Sequence, residues 1–546
     1  MSAMHRHGEG LRWLLGRRRE PPCGTQVPTA LAAAPSIARC NTHAGLAGLS
    51  YSDKRHFEWF VRETSGKLPG VFSSPFWTKL VLQASSAEPA ILYAVLALGA
   101  VHKNETKPID ESCDVKDEEP WEPQSSDISE RLSLQYYNKS ISLLQSHLLM
   151  PGTESTRVVL IVCTIFVCLE FMQKRYKTGF LHFGHSLRLL DSLLRSTASA
   201  LPMNPTDEWF AEEIPRLDIQ AALLTNEFYL GGGSQTPLIW ISIPQPFQTT
   251  RDASNSLDGL LFRAHQLQKN GSEKSLAEEA ADIFELLATQ QTLRNNLEVW
   301  LQCFDVFRAK TWDQLSDGDR LVCRRLPIYH TMAYIITNTA LNPGNELIFD
   351  LYTRHFVSVV SLSREILDTV QPSALPTPAA DTPGSHASQA DYTADSGLVP
   401  PLFYTAIKCR VPRIRRQAVE LIWLGQRHEG IWDAVLSARV AREVMTLEER
   451  GVQDGLKGDQ RASPDTVVPI FPSPPRVHKL WIEAPGEPKG DIRLSVQRIH
   501  ADGKPETLAR RYDMVNGFWT SIPITPRVAE ATEHERRGSG HAGSDA

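Results

Sequence analysis

Apolar residues recur at helical spacing through most of the chain. Leu132, Tyr136, Ile141, Leu144 and Leu148 fall three to five positions apart and lay one stripe along a helix. Phe180, Phe183, Leu187, Leu190 and Leu194 make another, and between the two the run from Val158 to Met172 is apolar almost throughout. "QKRYKTG" supplies the turn after that run. Comparable spacing predicts helices over 206–230, 274–308, 319–340, 345–370, 401–426 and 430–450, with "GGG" at 231–233 ending the first. Helix, short turn, helix, repeated, is the pattern of packed antiparallel helix pairs in an all-α body. No fixed sequence period makes it a repeat family.

One stretch, "FWTKLVLQASSAEPAILYAVLALGAVHKN" (76–104), carries no charge between Glu88 and His102. A bilayer span needs ~20 apolar residues; this run is shorter, and the run from Val158 to Leu169 ends at Glu170. Both read as helices buried on nearly all sides. Ser85 or Ser86 can cap the first of them, with Glu88 in its positive first turn and Pro89 where a missing N–H costs nothing.

The polar gaps set the domain boundaries. Residues 1–50 hold six Arg and no Lys against Glu9 and Glu20; "LRWLLGRRR" has the character of a mitochondrial presequence, but a disordered basic N-terminus is the expected reading of 1–50. Residues 104–128 hold nine acids and three prolines and read as a solvated loop. A helical body is expected over 51–450, interrupted by a disordered insert at 371–399 that lacks Lys and Arg. A linker follows at 451–475. Over 476–525 the period changes to two: Ile492, Leu494 and Val496 alternate with Arg493, Ser495 and Gln497, "ADGKP" turns, and "ETLARRYDM" returns, predicting a small β-hairpin. Residues 526–546 read as a disordered tail.

Composition narrows the function classes. With 42% hydrophobic and 22% charged residues the chain can bury a large core, and a net charge of −6 gives no whole-chain nucleic-acid footprint. The eight cysteines are too sparse for a disulfide framework, and Cys163, Cys168 and Cys303 sit in apolar surroundings as buried thiols do. G-x-S-x-G, the P-loop pattern and H-E-x-x-H are all absent. His182 and His185 could share a metal on one helix, but no third ligand stands near before Asp191, and packing is the better account. Cys163 and Cys168 face different sides of a helix. No catalytic, cofactor-binding or metal residue is assigned, and no cofactor is expected. "IKCRVPRIRRQ" (407–417) could meet phosphate through Lys408, Arg410, Arg413, Arg415 and Arg416. Its alternative is the solvated or salt-bridged side of a helix opening at Pro412, with Val411, Ile414, Val419 and Leu421–Ile422 inward.

The order of segments is specific. "RHFEWFVRETSGKLPGVFSSPFWTKLVLQASSAEPAILYAVLALGAVH" (55–102) resembles the opening of the regulatory, or middle homology, domain of fungal zinc-cluster transcription factors. "QYYNKSISLL" (135–144), "RVVLIVCTIFVCLEFMQKRYKTGFLHFGHSLRLL" (157–190), "PPLFYTAIKCRVPRIRRQAVELI" (400–422) and "HEGIWDAVLSARVARE" (428–443) resemble later parts in the same order. The resemblance runs from about residue 51 to about residue 520. It implies an all-helical regulatory domain acting in the nucleus, often as a homo- or heterodimer, on metabolic or secondary-metabolite genes, with a small-molecule effector among its candidate partners and no membrane.

The departure from that family is at the DNA-reading module, a six-cysteine cluster holding two zinc ions. Here Cys23 and Cys40 alone precede residue 51, and no C-x-x-C occurs in the chain. The cluster's ligand set is therefore missing. Direct DNA binding is placed in question, and either a cluster-less relative or a lost upstream exon accounts for it. A transcription regulator working through a DNA-binding partner protein is the expected function. The alternatives are a helical interaction scaffold without a DNA role and an enzyme of a biosynthetic pathway.

Overall fold

The computed structural model describes residues 48–70, 74–105, 125–149, 152–197, 204–224, 246–273, 280–370, 392–395, 397–425, 428–456, 476–483, 490–499, 505–514 and 516–524. The basic N-terminus through residue 47, most of the acidic loop, 371–391, 457–475 and the tail from 525 lie outside the described residues.

The helices are α1 (Tyr51–Trp59), α2 (Val81–Ala87), α3 (Pro89–Glu105), α4 (Ser125–Leu149), α5 (Thr153–Met172), α6 (Tyr176–Thr197) and α7 (Pro205–Leu224) in the first half. The second half has α8 (Thr250–Glu273), α9 (Ala280–Thr311), α10 (Asp317–Thr339), α11 (Thr353–Val370), α12 (Val399–Lys408), α13 (Pro412–Gly425) and α14 (Ala434–Leu456). Two strands of two residues each, β2 (His428–Glu429) and β3 (Trp432–Asp433), form a hairpin, and β1 (Tyr392–Thr393) joins β2 in parallel. The fold is mostly α, as the periodicity predicts.

The uncharged stretch is a core helix. In α3, Ile91, Ala94, Val95, Leu96, Ala97, Leu98 and Ala100 are all fully buried against α1, α2, α4 and α5. Gly99 is needed there: a Cβ at this position would meet the His56 carbonyl oxygen of α1 at 2.6 Å. The cap differs from expectation. Ser85 and Ser86 belong to α2, where their hydroxyls donate to the Leu82 and Gln83 carbonyls. Glu88, held extended at φ −116° ahead of Pro89, makes the break, and its carbonyl accepts from Ile91 and Leu92. Helix α5 is long and apolar enough to cross a membrane, but every residue from Val159 to Met172 is buried by protein. Its apolar surface is already used in the core.

Three helical predictions are refined. The segment 345–370 begins as a 3-10 turn, Glu346–Tyr352, before α11. The segment 401–426 is split between α12 and α13 at Cys409–Val411, because Pro412 cannot continue the ladder of α12. Helix α8 was not legible: Asn255, Ser256 and Gly259 are weak helix formers, and tertiary burial of Ala253, Leu257, Leu261 and Ala264 fixes it instead. Moreover α7 and α8 run in the same direction, Glu212 facing Arg251 and Arg216 facing Asp258. The long connection between them permits a crossover that a short turn does not.

The C-terminal hairpin is the centre of a four-stranded antiparallel sheet, β4 (Arg476–Glu483), β5 (Ile492–Ile499), β6 (Pro505–Asp513) and β7 (Phe518–Ile522), in sequential order. A register shift between Val477 and Lys479 leaves Val477 and Leu480, three apart, both buried. That bulge broke the period-two signal of β4. The end of the expected insert is also structural: Tyr392 is 2% exposed and Val399 opens α12.

Candidate functional site

The arginine-rich segment is an internal strut. Lys408 reaches Glu346 Oε1 at 2.9 Å, and Arg410 bridges Glu346 Oε2 at 2.7 Å and Glu448 Oε1 at 2.5 Å. Arg415 meets Glu448 Oε2 at 2.6 Å and donates to the Ala406 carbonyl at 2.7 Å. Glu448 Oε1 also accepts from Val477 N at 2.8 Å, which carries the network into β4. Burial would raise the Glu346 carboxyl, but Lys408, His478 and Arg410 around it outweigh burial and hold it at about 2. Of the five cations, Arg413 and Arg416 are the exposed ones, and Arg416 is engaged by Glu449 at 3.0 Å. Three of the five therefore have no solvent-facing charge for a phosphate, and the salt-bridged reading of this segment is the one the geometry supports.

"HEGIWD" (428–433) is a second internal junction. The Glu429 carboxylate accepts from the backbone amides of Gly397, Leu398 and Val399 at 3.0, 3.1 and 2.9 Å, satisfying the free donors at the start of α12. Gly430 adopts φ +60°, and Gln220 of α7 packs where its Cβ would be. Gln220 accepts from Ile431 N and donates to the Ala394 carbonyl, each at 3.2 Å, tying α7 to β1 and the β2–β3 turn. Trp432 is fully buried. Asp433 caps α14 by accepting from Leu436 N at 2.9 Å, takes the Tyr176 hydroxyl at 3.0 Å, and pairs with Lys174 at 3.3 Å. Burial opposes its charge, yet Lys174, His428 and these hydrogen bonds hold Asp433 at about 2. Lys174, at φ 60°, is the one non-glycine residue with positive φ among the described residues, so the ion pair sits at a strained helix end.

The remaining candidates disperse. His182 Nε2 lies 2.9 Å from the Tyr137 hydroxyl, and burial, with His185 second, lowers its pKa to about 4. His185 is exposed, so the pair does not converge. Burial raises the thiols of Cys163 and Cys168 to about 11 and about 12, leaving both protonated and unreactive. Among the described residues no group of three or more His, Cys, Asp or Glu is placed to hold a metal ion. Cys23 and Cys40 lie outside the described residues. Sequence reasoning missed Glu346, Glu448 and Gln220; their signal was polar side chains set within otherwise apolar helical stripes.

The structure is a large α-helical body knit through buried polar junctions, and within its first half residues 56–227 match the fungal specific transcription factor domain. The aspercryptin biosynthesis cluster-specific transcription regulator atnN of Emericella nidulans is similar to the chain, 22% identical over 446 residues, covering 68% of this chain and 70% of that protein. No solved structure matches.

Proposed function

We propose that the chain is a pathway-specific transcription regulator that acts in the nucleus on genes of secondary metabolism, is not an enzyme, and reaches DNA through a partner protein. The match of residues 56–227 to a fungal transcription factor domain carries the first element. The similar protein from Emericella nidulans, described as specific to a biosynthesis cluster, supports the class of target gene. Use of a partner is supported by Lys408, Arg410 and Arg415 being spent internally. Disrupting the gene and sequencing transcripts tests the reading, with one clustered set of biosynthetic genes expected to change together. An unchanged transcriptome under producing conditions overturns it. Chromatin immunoprecipitation of the tagged chain, with and without crosslinking between proteins, tests the partner.

A further inference from the structure

Helices α4 and α6 lie side by side across α5. Tyr137 of α4 and His182 of α6 both pack on Phe166 of α5, with ring centroids 4.2 and 5.5 Å away, and the Tyr137 hydroxyl meets His182 Nε2 at 2.9 Å. One heptad earlier, Glu130 faces Arg175 at 3.8 Å, so the two helices run in the same direction. Apolar side chains line the seam on its solvent side. Leu134, Ile141 and Leu148 are seven apart and so follow one line along α4, and they are 48%, 38% and 64% exposed, whereas Tyr136 and Leu144 turn into the core. Across the seam Leu181 of α6 is 58% exposed, and His185 beside it also faces solvent. A single exposed leucine needs no account, but a line of them about 21 Å long does.

The charge of this face selects the occupant. Residues 131–149 contain no Asp or Glu, and residues 176–197 contain one acid, Asp191, which pairs with Arg195 at 3.0 Å. Arg131 and Lys139 on α4 and Lys177 and Arg188 on α6 are all exposed. The apolar line is thus bordered by cations on both helices. A second copy of the face is disfavoured, because it would set cation against cation. Duplex DNA would engage the cations and leave the leucines in water.

We propose that the α4–α6 face docks an acidic amphipathic helix of a partner protein. Its apolar ridge lies along Leu134, Ile141, Leu148 and Leu181, and its Asp and Glu flanks meet Arg131, Lys139, Lys177 and Arg188. The line from Leu134 to Leu148 accommodates about four turns of such a helix.

The test is fluorescence anisotropy of a labelled synthetic helix of about 18 residues, with Leu at i, i+3, i+4 and i+7 spacing and Glu elsewhere, titrated with the full chain. Saturable binding that weakens as salt rises is expected. Replacing the Glu by Gln, or scrambling the Leu off the ridge, should weaken it about tenfold or more, ~1.4 kcal/mol. The paired variants Leu134→Ser with Leu181→Ser, and Lys177→Glu with Arg188→Glu, change exposed positions and should each lose about tenfold or more while circular dichroism stays that of wild type. Arg413→Glu, exposed on α13, should bind as wild type does. Should a pair fail to fold, a photo-crosslinking group on the peptide's ridge decides with the wild-type chain: crosslinks within 131–149 and 176–197 are expected, and crosslinks confined to other segments overturn the proposal. No binding, equal binding of the Gln peptide, or affinity unchanged in both folded pairs also overturns it. So does evidence for another occupant: duplex DNA or anionic vesicles bound more tightly than the peptide and lost in the leucine pair, a dimer of the chain dissociated by that pair, or peptide binding gained only when the chain's own acidic residues 106–123 are replaced by a Gly-Ser linker of equal length. These readouts register binding alone and are indifferent to whether the chain regulates transcription.

Discussion

The Glu429 carboxylate occupies the space a side chain at Gly397 would need, and it accepts that residue's amide at 3.0 Å. Residues 32 positions apart thereby fix where α12 begins. Gly397→Ala should force the carboxylate out and leave two further amides, of Leu398 and Val399, without their acceptor. A loss of ~2–4 kcal/mol is expected from the clash together with the unmade charged hydrogen bonds. Urea denaturation followed by circular dichroism would show it, and a wild-type midpoint would refute this account of the motif.

Gly430→Ala meets two penalties, a positive φ and the Gln220 side chain. Gln220→Ala removes the second but strands Ile431 N. The double variant should therefore lose less than the sum of the two singles, since one obstruction is counted in both. Strict additivity in a thermodynamic cycle would argue against the contact.

The arginine segment separates by burial. Arg410→Ala leaves Glu346 and Glu448 facing fewer cations inside the protein and is expected to cost ~3–5 kcal/mol. Arg413→Ala, at an exposed position, should stay within about 0.5 kcal/mol of wild type. Equal thermal midpoints for the two variants would contradict the buried strut.

Asp218 gives a pH signature. Burial alone raises its carboxyl from 3.8 to about 7, and its Oδ1 has no hydrogen-bond partner among the described residues. A carboxyl raised in the fold favours the protonated folded state, so its destabilising effect is absent below the unfolded pKa and grows as pH rises toward the folded value. Asp218→Asn should gain on wild type by on the order of 2 kcal/mol between about pH 4 and about pH 8. Glu346 and Asp433 act with the opposite sign. Held at about 2, they support stability above the unfolded carboxylate range and withdraw it as pH falls toward 2. Denaturation midpoints of wild type and Asp218→Asn across this range check both signs; a pH-independent difference would rule out the Asp218 term.

Gly99→Ala tests the close approach of α1 to α3. The added methyl would meet the His56 carbonyl at 2.6 Å, and overpacking of ~1–3 kcal/mol is expected. Preferential loss of amide protection in α1, read by hydrogen exchange, would localise the damage; uniform exchange would not fit.

Much of this fold was legible because the signal is local. The stripe from Phe180 to Leu194 faces one way on any helix, so α6 could be placed from spacing alone, and the apolar run after Val158 gave α5 equally well. Helix α8 and strand β4 escaped for the same reason inverted: weak formers at 255, 256 and 259 and a bulge after Val477 spoil the local period, while burial by distant residues still fixes the element.

By itself, the sequence determined a mostly helical body and its uncharged core helices, because side chains three and four apart share a helix face whatever surrounds them, and it carried a resemblance to fungal regulatory domains. Where the charges went was decided by tertiary structure. Arg410 meets Glu346 across 64 positions, Ser74 meets Glu213 across 139, and Tyr176 meets Asp433 across 257. Electrostatic pairing depends on distance in space, and helical period carries no record of which helices will lie side by side.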